Sequence, residues 1–345
     1  MRVVLGNLAV GYLLYGGSEV QIERTRDALS DIGVEVVMFS PWEKDLFSGV
    51  DVLHWFHVDP GALQVMHAAK RQGVKVVVSS IYWPLHAVWL EQIWSACSHV
   101  PRRLGVPLDS YASMQRRVLD MADRVLVASG SEGRYLQKVF RVSWAKVRFV
   151  PVGTETAFVG ADPGPFVREY GLRDFVLCVG RIEPRKNQLR LLAALADTGI
   201  SVVMIGDARV APEYYSKCLA VGGRNVHFLG SMGHDNPLFR SAYAASRVLA
   251  MPSTLETPGL VALEGALAGA RLAITERGCT KEYFGSYAEY VNPFSVSSIR
   301  SGVFRAMDAP EDRVVKLRAR LLSTYSWRAV AERLLSIYEE ICTRC

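Results

Sequence analysis

Short apolar runs alternate with amphipathic stretches along almost the whole chain. In the first half, Val3–Ala9, Val34–Phe39, Val52–Phe56, Val74–Ser79, Val125–Ala128 and Val147–Val150 read as strands. Between them, Ser18–Ile32, Ala62–Gln72 and Ser131–Phe140 place apolar residues at helical spacing. The second half repeats the scheme, with strands predicted at Phe175–Val179, Val202–Ile205, Val226–Leu229 and Val248–Met251 and a helix over Gln188–Asp197. Runs that are apolar on both faces and joined by helices are the pattern of parallel βαβ units, so the fold class is α/β. The stretch Pro151–Pro165, PVGTETAFVGADPGP, is rich in Gly and Pro, has no periodicity and separates the two series. It predicts one domain over residues 1–155 and a second over 164–325. Trp327–Ile341 (WRAVAERLLSIYEEI) reads as a closing amphipathic helix. No tandem repeat or low-complexity segment is visible.

Composition agrees with this division. The 345 residues leave room for two domains, and 50% hydrophobic with 21% charged residues is ordinary for a globular chain. No apolar run reaches the ~18 residues that span a bilayer. The N-terminal MRVVLGNLAVGYLLYGG lacks a small-residue cleavage site and reads as a first strand leading into a glycine loop, not as a signal peptide. Six cysteines are scattered, and Cys342 and Cys345 form a C-x-x-C at the last residues; they read as reduced thiols of a cytoplasmic protein.

Charge adds one feature. Residues 101–150 carry ten basic against four acidic side chains, an excess equal to the net charge of +6 on the whole chain. Trp83, Trp89 and Trp94 come just before. Aromatic residues beside arginines suit an anionic headgroup layer, so segment 82–117 is a candidate peripheral contact at the inner membrane face. The alternative is core tryptophans under a solvated basic face. No helix-turn-helix, zinc-finger or RNP-type pattern is present, so nucleic acid is not expected as a partner.

Two segments carry candidate chemistry. In FVLCVGRIEPRKN (Phe175–Asn187), a buried-strand run ends at Gly180 and opens onto Arg181, Arg185 and Lys186, with Asn187 placed to cap the next helix. Arg offers a planar fork to phosphate oxygens and Lys a point charge, delivered where open α/β sheets bind ligands. In PSTLETPGLVALEGALAG (Pro252–Gly269), Thr257 is a candidate N-cap and Pro258 the candidate first helical residue, while Gly259 admits close approach to the backbone. Glu256 then precedes the helix and Glu264 lies six residues inside it, roughly 9 Å along the axis. A helix N-terminus suits an anion. A carboxylate at each end of an anion site suits the hydroxyls on either side of a diphosphate.

Together with YGGSEVQIERTRDALSDIGVEVVMF (Tyr15–Phe39) and GCTKEYFGSYAEYVNPFSVSSI (Gly278–Ile299), these segments resemble family 4 of the retaining glycosyltransferases. The resemblance is strongest over 172–299 and weaker over 41–119. It implies the GT-B fold, two Rossmann-like parallel-sheet domains facing a central cleft, with the C-terminal helix 326–345 crossing back to the first, acceptor-side domain. The implied donor is a nucleotide-diphosphate sugar bound by the second domain, and the implied acceptor a glycan or lipid-linked glycan, as in polysaccharide biosynthesis. Arg181 and Lys186 would hold the diphosphate, Glu264 the ribose hydroxyls, and Glu256 the transferred sugar. Gly180, Pro258, Gly259, Leu260 and Val261 would line the donor site, and Gly16 and Gly17 would let the first-domain loop approach the diphosphate. Glu19, at that helix start, is given no role beyond capping.

No D-x-D metal signature occurs in the sequence, so fixed cations and backbone dipoles, with no metal or other cofactor, are expected to stabilise the leaving phosphate. The chain departs from the family at one place. Members commonly carry a His-Asp pair after the fourth strand of the first domain, whereas VVVSSIYWP puts Ile81 and Tyr82 there. His57, which follows a strand, and Tyr82 are therefore the acceptor-side candidates, with His54 and His86 nearby. His234 and Asp235 receive no role. The other readings are an epimerase- or phosphorylase-like enzyme on the same fold and a non-catalytic nucleotide-sugar binder. An NAD-dependent dehydrogenase is disfavoured, because the glycines at Gly6–Gly17 do not follow G-x-G-x-x-G.

Overall fold

The computed structural model describes residues 1–7, 17–82 and 110–343. Gly16, Trp83, His86, Trp89, Trp94, Cys97, Cys345 and most of segment 82–117 lie outside these residues. The chain divides into two compact units, Met1–Gly153 with Trp327–Cys345, and Thr154–Ser326.

The first unit is built on six parallel strands: β1 (Arg2–Gly6), β2 (Glu35–Met38), β3 (Val52–Phe56), β4 (Lys75–Ser79), β5 (Arg124–Val127) and β6 (Val147–Phe149), in the order β2-β1-β3-β4-β5-β6. Both faces of the sheet are covered, which is why its strands read as continuous apolar runs. Val4, Leu53, Val76 and Val78 pack with Val118 and Leu136 of the helices on one side. Val3, Leu5, Val52 and Val77, alternating with them in register, pack on the other side with Ile22 and with Val330, Leu334 and Tyr338.

Those last three belong to the helix Trp327–Cys342, which thus completes the first unit's core. Its attachment is polar as well. The Glu340 carboxylate accepts from Arg124 at 2.9 Å and from Arg148 at 2.7 Å. Tyr338 Oη and the Nδ1 of buried His54 lie 2.6 Å apart, and His54 Nε2 meets Ser79 Oγ at 2.8 Å. Burial pushes the His54 imidazole down to about 3, so it stays neutral in the core. His54 is a structural residue.

The second unit carries β7 (Phe175–Val179), β8 (Val202–Ile205), β9 (Val226–Phe228), β10 (Ser246–Met251), β11 (Arg271–Thr275) and β12 (Glu289–Val291), all parallel, in the order β12-β11-β10-β7-β8-β9. Phe175, Leu177, Leu249, Met251 and Leu263 fill one face of this sheet, and Val176, Cys178, Met204, Val248 and Ala250 the other. Cys178 is part of that core; burial pushes its thiol up to about 12. Among the described residues, no helix is long and apolar enough to cross a membrane.

Candidate functional site

In the second unit, the loops after β7, β10 and β11 converge through their backbones. Gly180 has φ +132° and donates its N–H to Ile205 O at 2.9 Å. A Cβ on Gly206 would lie 2.0 Å from Gly180 O, so only glycine permits this crossing of chains. Asn187 stands at the N-cap of helix Gln188–Leu195, but its side chain does not cap. Its amide donates instead to Pro252 O at 2.9 Å and Pro293 O at 2.7 Å, tying its own loop to those after β10 and β12. Thr254 N–H donates to Arg185 O at 2.8 Å.

This stapling brings Lys186 and Glu256, seventy positions apart, into an ion pair of 2.6 Å. Arg185 lies 3.8 Å from the same carboxylate oxygen and 3.3 Å from Glu183, which Arg181 approaches at 3.6 Å. The result is a chain of alternating charge with three cations and two carboxylates. Burial pushes the Glu256 carboxyl up, but the Lys186 ammonium and Arg185 guanidinium outweigh it and hold the group below the usual carboxylate range. Glu256 is also fixed by its own backbone: Gly278, at φ +102°, sits where a Cβ would fall 1.9 Å from Glu256 O.

The helix after this loop starts later than its capping signals predict. It runs Leu260–Ala268, and its N-cap is Gly259 at φ +92°, with no side-chain cap from Thr257 and with Pro258 outside the helix. Residues 256–258 stay out of the helix because Glu256 bridges Gly278 in parallel, with Cys279 N–H donating to Glu256 O at 3.2 Å. A Cβ on Gly259 would lie 2.7 Å from Met251 Sδ and 3.4 Å from Glu256 Oε2. The Leu260 and Val261 N–H groups find no acceptor among the described residues, which leaves two donors and the helix dipole for an anion.

Glu264 is buried and makes separate contacts. Tyr243 Oη donates to its Oε2 at 2.6 Å, and His234 Nε2 lies 3.6 Å from its Oε1. His234 is in turn held against Phe239, ring centroids 5.0 Å apart. Neither His234 nor Tyr243 has a role readable from the sequence. The available signal was position: His234 follows β9 at the carboxyl edge of the sheet. A pocket of about 200 Å³ lies beside Arg181, lined by Ile182, Met204, Asp207, Tyr215 and Phe228. Asp207 was also missed. Hydrogen bonds from Arg209 hold its carboxyl down to about 2. Among the described residues, no group of three or more His, Cys, Asp or Glu side chains is placed to hold a metal.

The first unit has a pocket of about 320 Å³ over the carboxyl ends of β1, β3 and β4, lined by Glu19, His57, Asp59, Ser80, Tyr82 and Gln115 among others. Both acceptor-side candidates are therefore in one pocket. His57 has φ +73° and Ile81 φ +39°, left-handed conformations that cost a non-glycine residue free energy. Burial lowers the His57 imidazole from its ordinary value, with Glu19 and Asp59 opposing the shift. Tyr82 is held at two points: its N–H donates to Glu132 at 2.9 Å and its ring stacks on Tyr135. Glu19 does more than stand at a helix start. It accepts from Asn7 Nδ2 at 3.3 Å, is buried, and lines the pocket. Gly17 is exposed and begins the helix Gly17–Asp31 of this unit.

Two parallel α/β units, one of them with an anion-suited helix start flanked by cations, form a GT-B fold. Residues 167–321, within the second unit, match the family Glycosyl transferases group 1. The chain is 30% identical to D-rhamnosyltransferase WbpZ of Pseudomonas aeruginosa, over 54% of this chain and 50% of that protein. It is 24% identical to the MMP alpha-(1->4)-mannosyltransferase of Mycolicibacterium hassiacum, over 68% of this chain and 58% of that one. The chain thus spans about half the length of these relatives. The fold matches sucrose-phosphate synthase from Thermosynechococcus elongatus with a TM-score of 0.76 at 19% identity, covering 99% of both chains. It matches a glycosyltransferase from Rickettsia africae with the same TM-score at 14% identity, covering 100% of this chain and 99% of that one.

Proposed function

We propose that the protein is a family 4 glycosyltransferase that moves a hexosyl group from a nucleotide diphosphate to a hydroxyl of a glycan or lipid-linked glycan, with retention and without a metal. The observation that carries the reading is the meeting of Lys186 with Glu256 beside the open N–H groups of Leu260 and Val261, within the residues that match Glycosyl transferases group 1. The names of two similar chains, a D-rhamnosyltransferase and a mannosyltransferase, support a hexosyl donor. Arg181, Lys186 and the helix start would take the charge growing on the leaving phosphate, the task that fixed dipoles and cations perform best. Glu264, oriented by Tyr243, would bind the ribose, and the pocket beside Arg181 would take the base. Glu256 would bind the hexosyl hydroxyls. The acceptor oxygen bonds to the anomeric carbon on the face from which the phosphate leaves, and the departing phosphate oxygen takes the acceptor's proton.

Ile81 and Tyr82 stand where the resembled family commonly has His-Asp, and this favours a second reading, a nucleotide-sugar binder without transfer. A thermal-shift panel of UDP-, GDP-, ADP- and dTDP-sugars, followed by transfer and hydrolysis assays with and without a chelator, separates the two. Stabilisation by one donor class with turnover that survives chelation supports the proposal, since a ligand stabilises the native state in proportion to occupancy. Stabilisation without turnover leaves the binder. No stabilisation by any of the four sinks both.

A further inference from the structure

We propose that the first unit's pocket binds a polyhydroxylated ligand that carries an amino group, such as an amino sugar or aminocyclitol, and rejects phosphorylated sugars. This deepens the proposed function by naming its acceptor class, and as an acceptor assignment it rests on that reading.

Size comes first. At about 320 Å³ the pocket is at the lower end of the roughly 300–1,000 Å³ usual for ligand sites, room among the described residues for one ring, as a free sugar or as the terminal unit of a glycan. Its wall is polar and mostly fixed. Ser80 and Gln115 are buried, and each is pinned: Ser80 Oγ donates to Leu126 O at 3.0 Å, and Gln115 Nε2 to Val58 O at 3.1 Å. The strained residues are held too, His57 through its N–H to Ser79 O at 2.9 Å and Ile81 through the Tyr82 N–H beside it. A wall of hydroxyl, amide and carboxylate groups offers what an array of ring hydroxyls needs. The His57 imidazole takes no hydrogen bond from any described residue, so one donor and one acceptor remain for the ligand.

Charge then selects among polyols. The described lining contains the carboxylates of Glu19 and Asp59 and no lysine or arginine. His57 supplies no compensating charge, because burial keeps its imidazole neutral at pH 7.5 despite both carboxylates. An ammonium group placed here gains charge-assisted hydrogen bonds to carboxylate oxygens. A phosphate dianion meets two like charges in a partly enclosed space, where screening by water is weak.

The test uses the full chain at pH 7.5 with glucosamine, glucose and glucose 6-phosphate as probes, read by saturation-transfer NMR and calorimetry. The expected result is glucosamine bound about tenfold more tightly than glucose, with no saturable binding of glucose 6-phosphate. Asp59→Asn and Glu19→Gln should each remove most of the glucosamine advantage while leaving glucose within about twofold. Asp59 is only half-buried, so its variant keeps the test open if Glu19→Gln does not fold. Equal affinities, tighter binding of glucose 6-phosphate, no binding of any probe, or a glucosamine preference that survives both substitutions would overturn the assignment. Donor binding is scored separately on the sugar-nucleotide panel. A chain that prefers glucosamine but ignores every sugar nucleotide keeps this site and loses the transferase reading, and the reverse pattern loses only this site.

Discussion

Replacing Lys186 with methionine keeps the unbranched four-atom stem and removes the terminal ammonium, which isolates the ion pair at the heart of the second unit. Lys186 and Glu256 side chains are 15% and 6% exposed, so this is a buried pair. Removing one partner of such a pair costs about 3–5 kcal/mol, because the other charge is left in a poor solvent. Arg185 remains 3.8 Å away but is 40% exposed, so it offsets only part of the loss and about 3 kcal/mol is expected. Removing both partners with Lys186→Met and Glu256→Gln should cost less than Lys186→Met alone, giving a coupling of about 2 kcal/mol. The pH dependence has a definite sign. In the native protein the depressed Glu256 carboxyl contributes stability that is present above the usual carboxylate range and lost as pH falls through its folded value. In Lys186→Met burial dominates and the carboxyl moves up, so protonation relieves the variant and its deficit narrows from pH 7.5 to 5. All seven tryptophans lie in the first unit, so tryptophan fluorescence does not report on this change. Hydrogen exchange of peptides covering 175–179 and 246–251 does. A cost below about 1 kcal/mol for Lys186→Met, unchanged by adding Glu256→Gln, would show that the two groups do not depend on each other in solution.

Three further outcomes are expected. His54 is neutral in the fold down to about 3, whereas an unfolded histidine protonates near 6.5, so its contribution is complete above pH 6.5 and is lost as pH falls toward 3; in urea unfolding the wild type should lose about 2 kcal/mol more than His54→Gln between pH 7.5 and 5. Gly278→Ala, with a Cβ forced to within 1.9 Å of Glu256 O, should cost about 2–5 kcal/mol, while Gly33→Ala, with φ +86° but nothing within 4 Å, should cost only the conformational ~1–2 kcal/mol, both read from urea midpoints. Tyr243→Phe removes the donor that orients Glu264 and, on the proposed function, should raise the donor KM about five- to tenfold with little change in kcat; an unchanged KM in steady-state kinetics would free Glu264 from that role.

The parallel α/β character of both halves was legible because buried strands carry their own signal. Val52–Phe56, Phe175–Val179 and Val202–Ile205 are β3, β7 and β8 to the residue, and every position in them is buried. β11 was not readable, since ALAGARLAIT runs from helix to strand with only Gly269 as punctuation. β12 is three residues long, lies at the sheet edge and is half-exposed at two of them. The capping rules misplaced the start of helix Leu260–Ala268 for a different reason. A bridge from Glu256 to Gly278 holds the chain extended past Thr257 and Pro258, and no local pattern encodes a partner twenty-two residues away. The same limit applies to the site. Sequence supplies charges and their order, whereas pairing is set by the Asn187 staple and the glycine contacts, which are long-range.

That pairing bears on how a lysine already bound to a carboxylate can serve a phosphate. Arg181, Arg185 and Lys186 against Glu183 and Glu256 leave the cluster with one net positive charge. An ammonium group has three donors, and Glu256 occupies one of them. On the proposed function, an arriving diphosphate competes with Glu256 for Lys186 and is helped by the open N–H groups of Leu260 and Val261. Each bond lost to the carboxylate releases an acceptor for hydroxyls of the hexosyl group. The ion pair of the free protein then acts as a place-holder: it keeps a buried carboxylate ionised until a sugar nucleotide divides the pair, giving the phosphate its cation and the sugar its acceptor. A site of this kind needs its loops fixed before the ligand arrives, and the backbone contacts at Gly180, Gly206 and Gly278 supply that rigidity without using a side chain the chemistry requires.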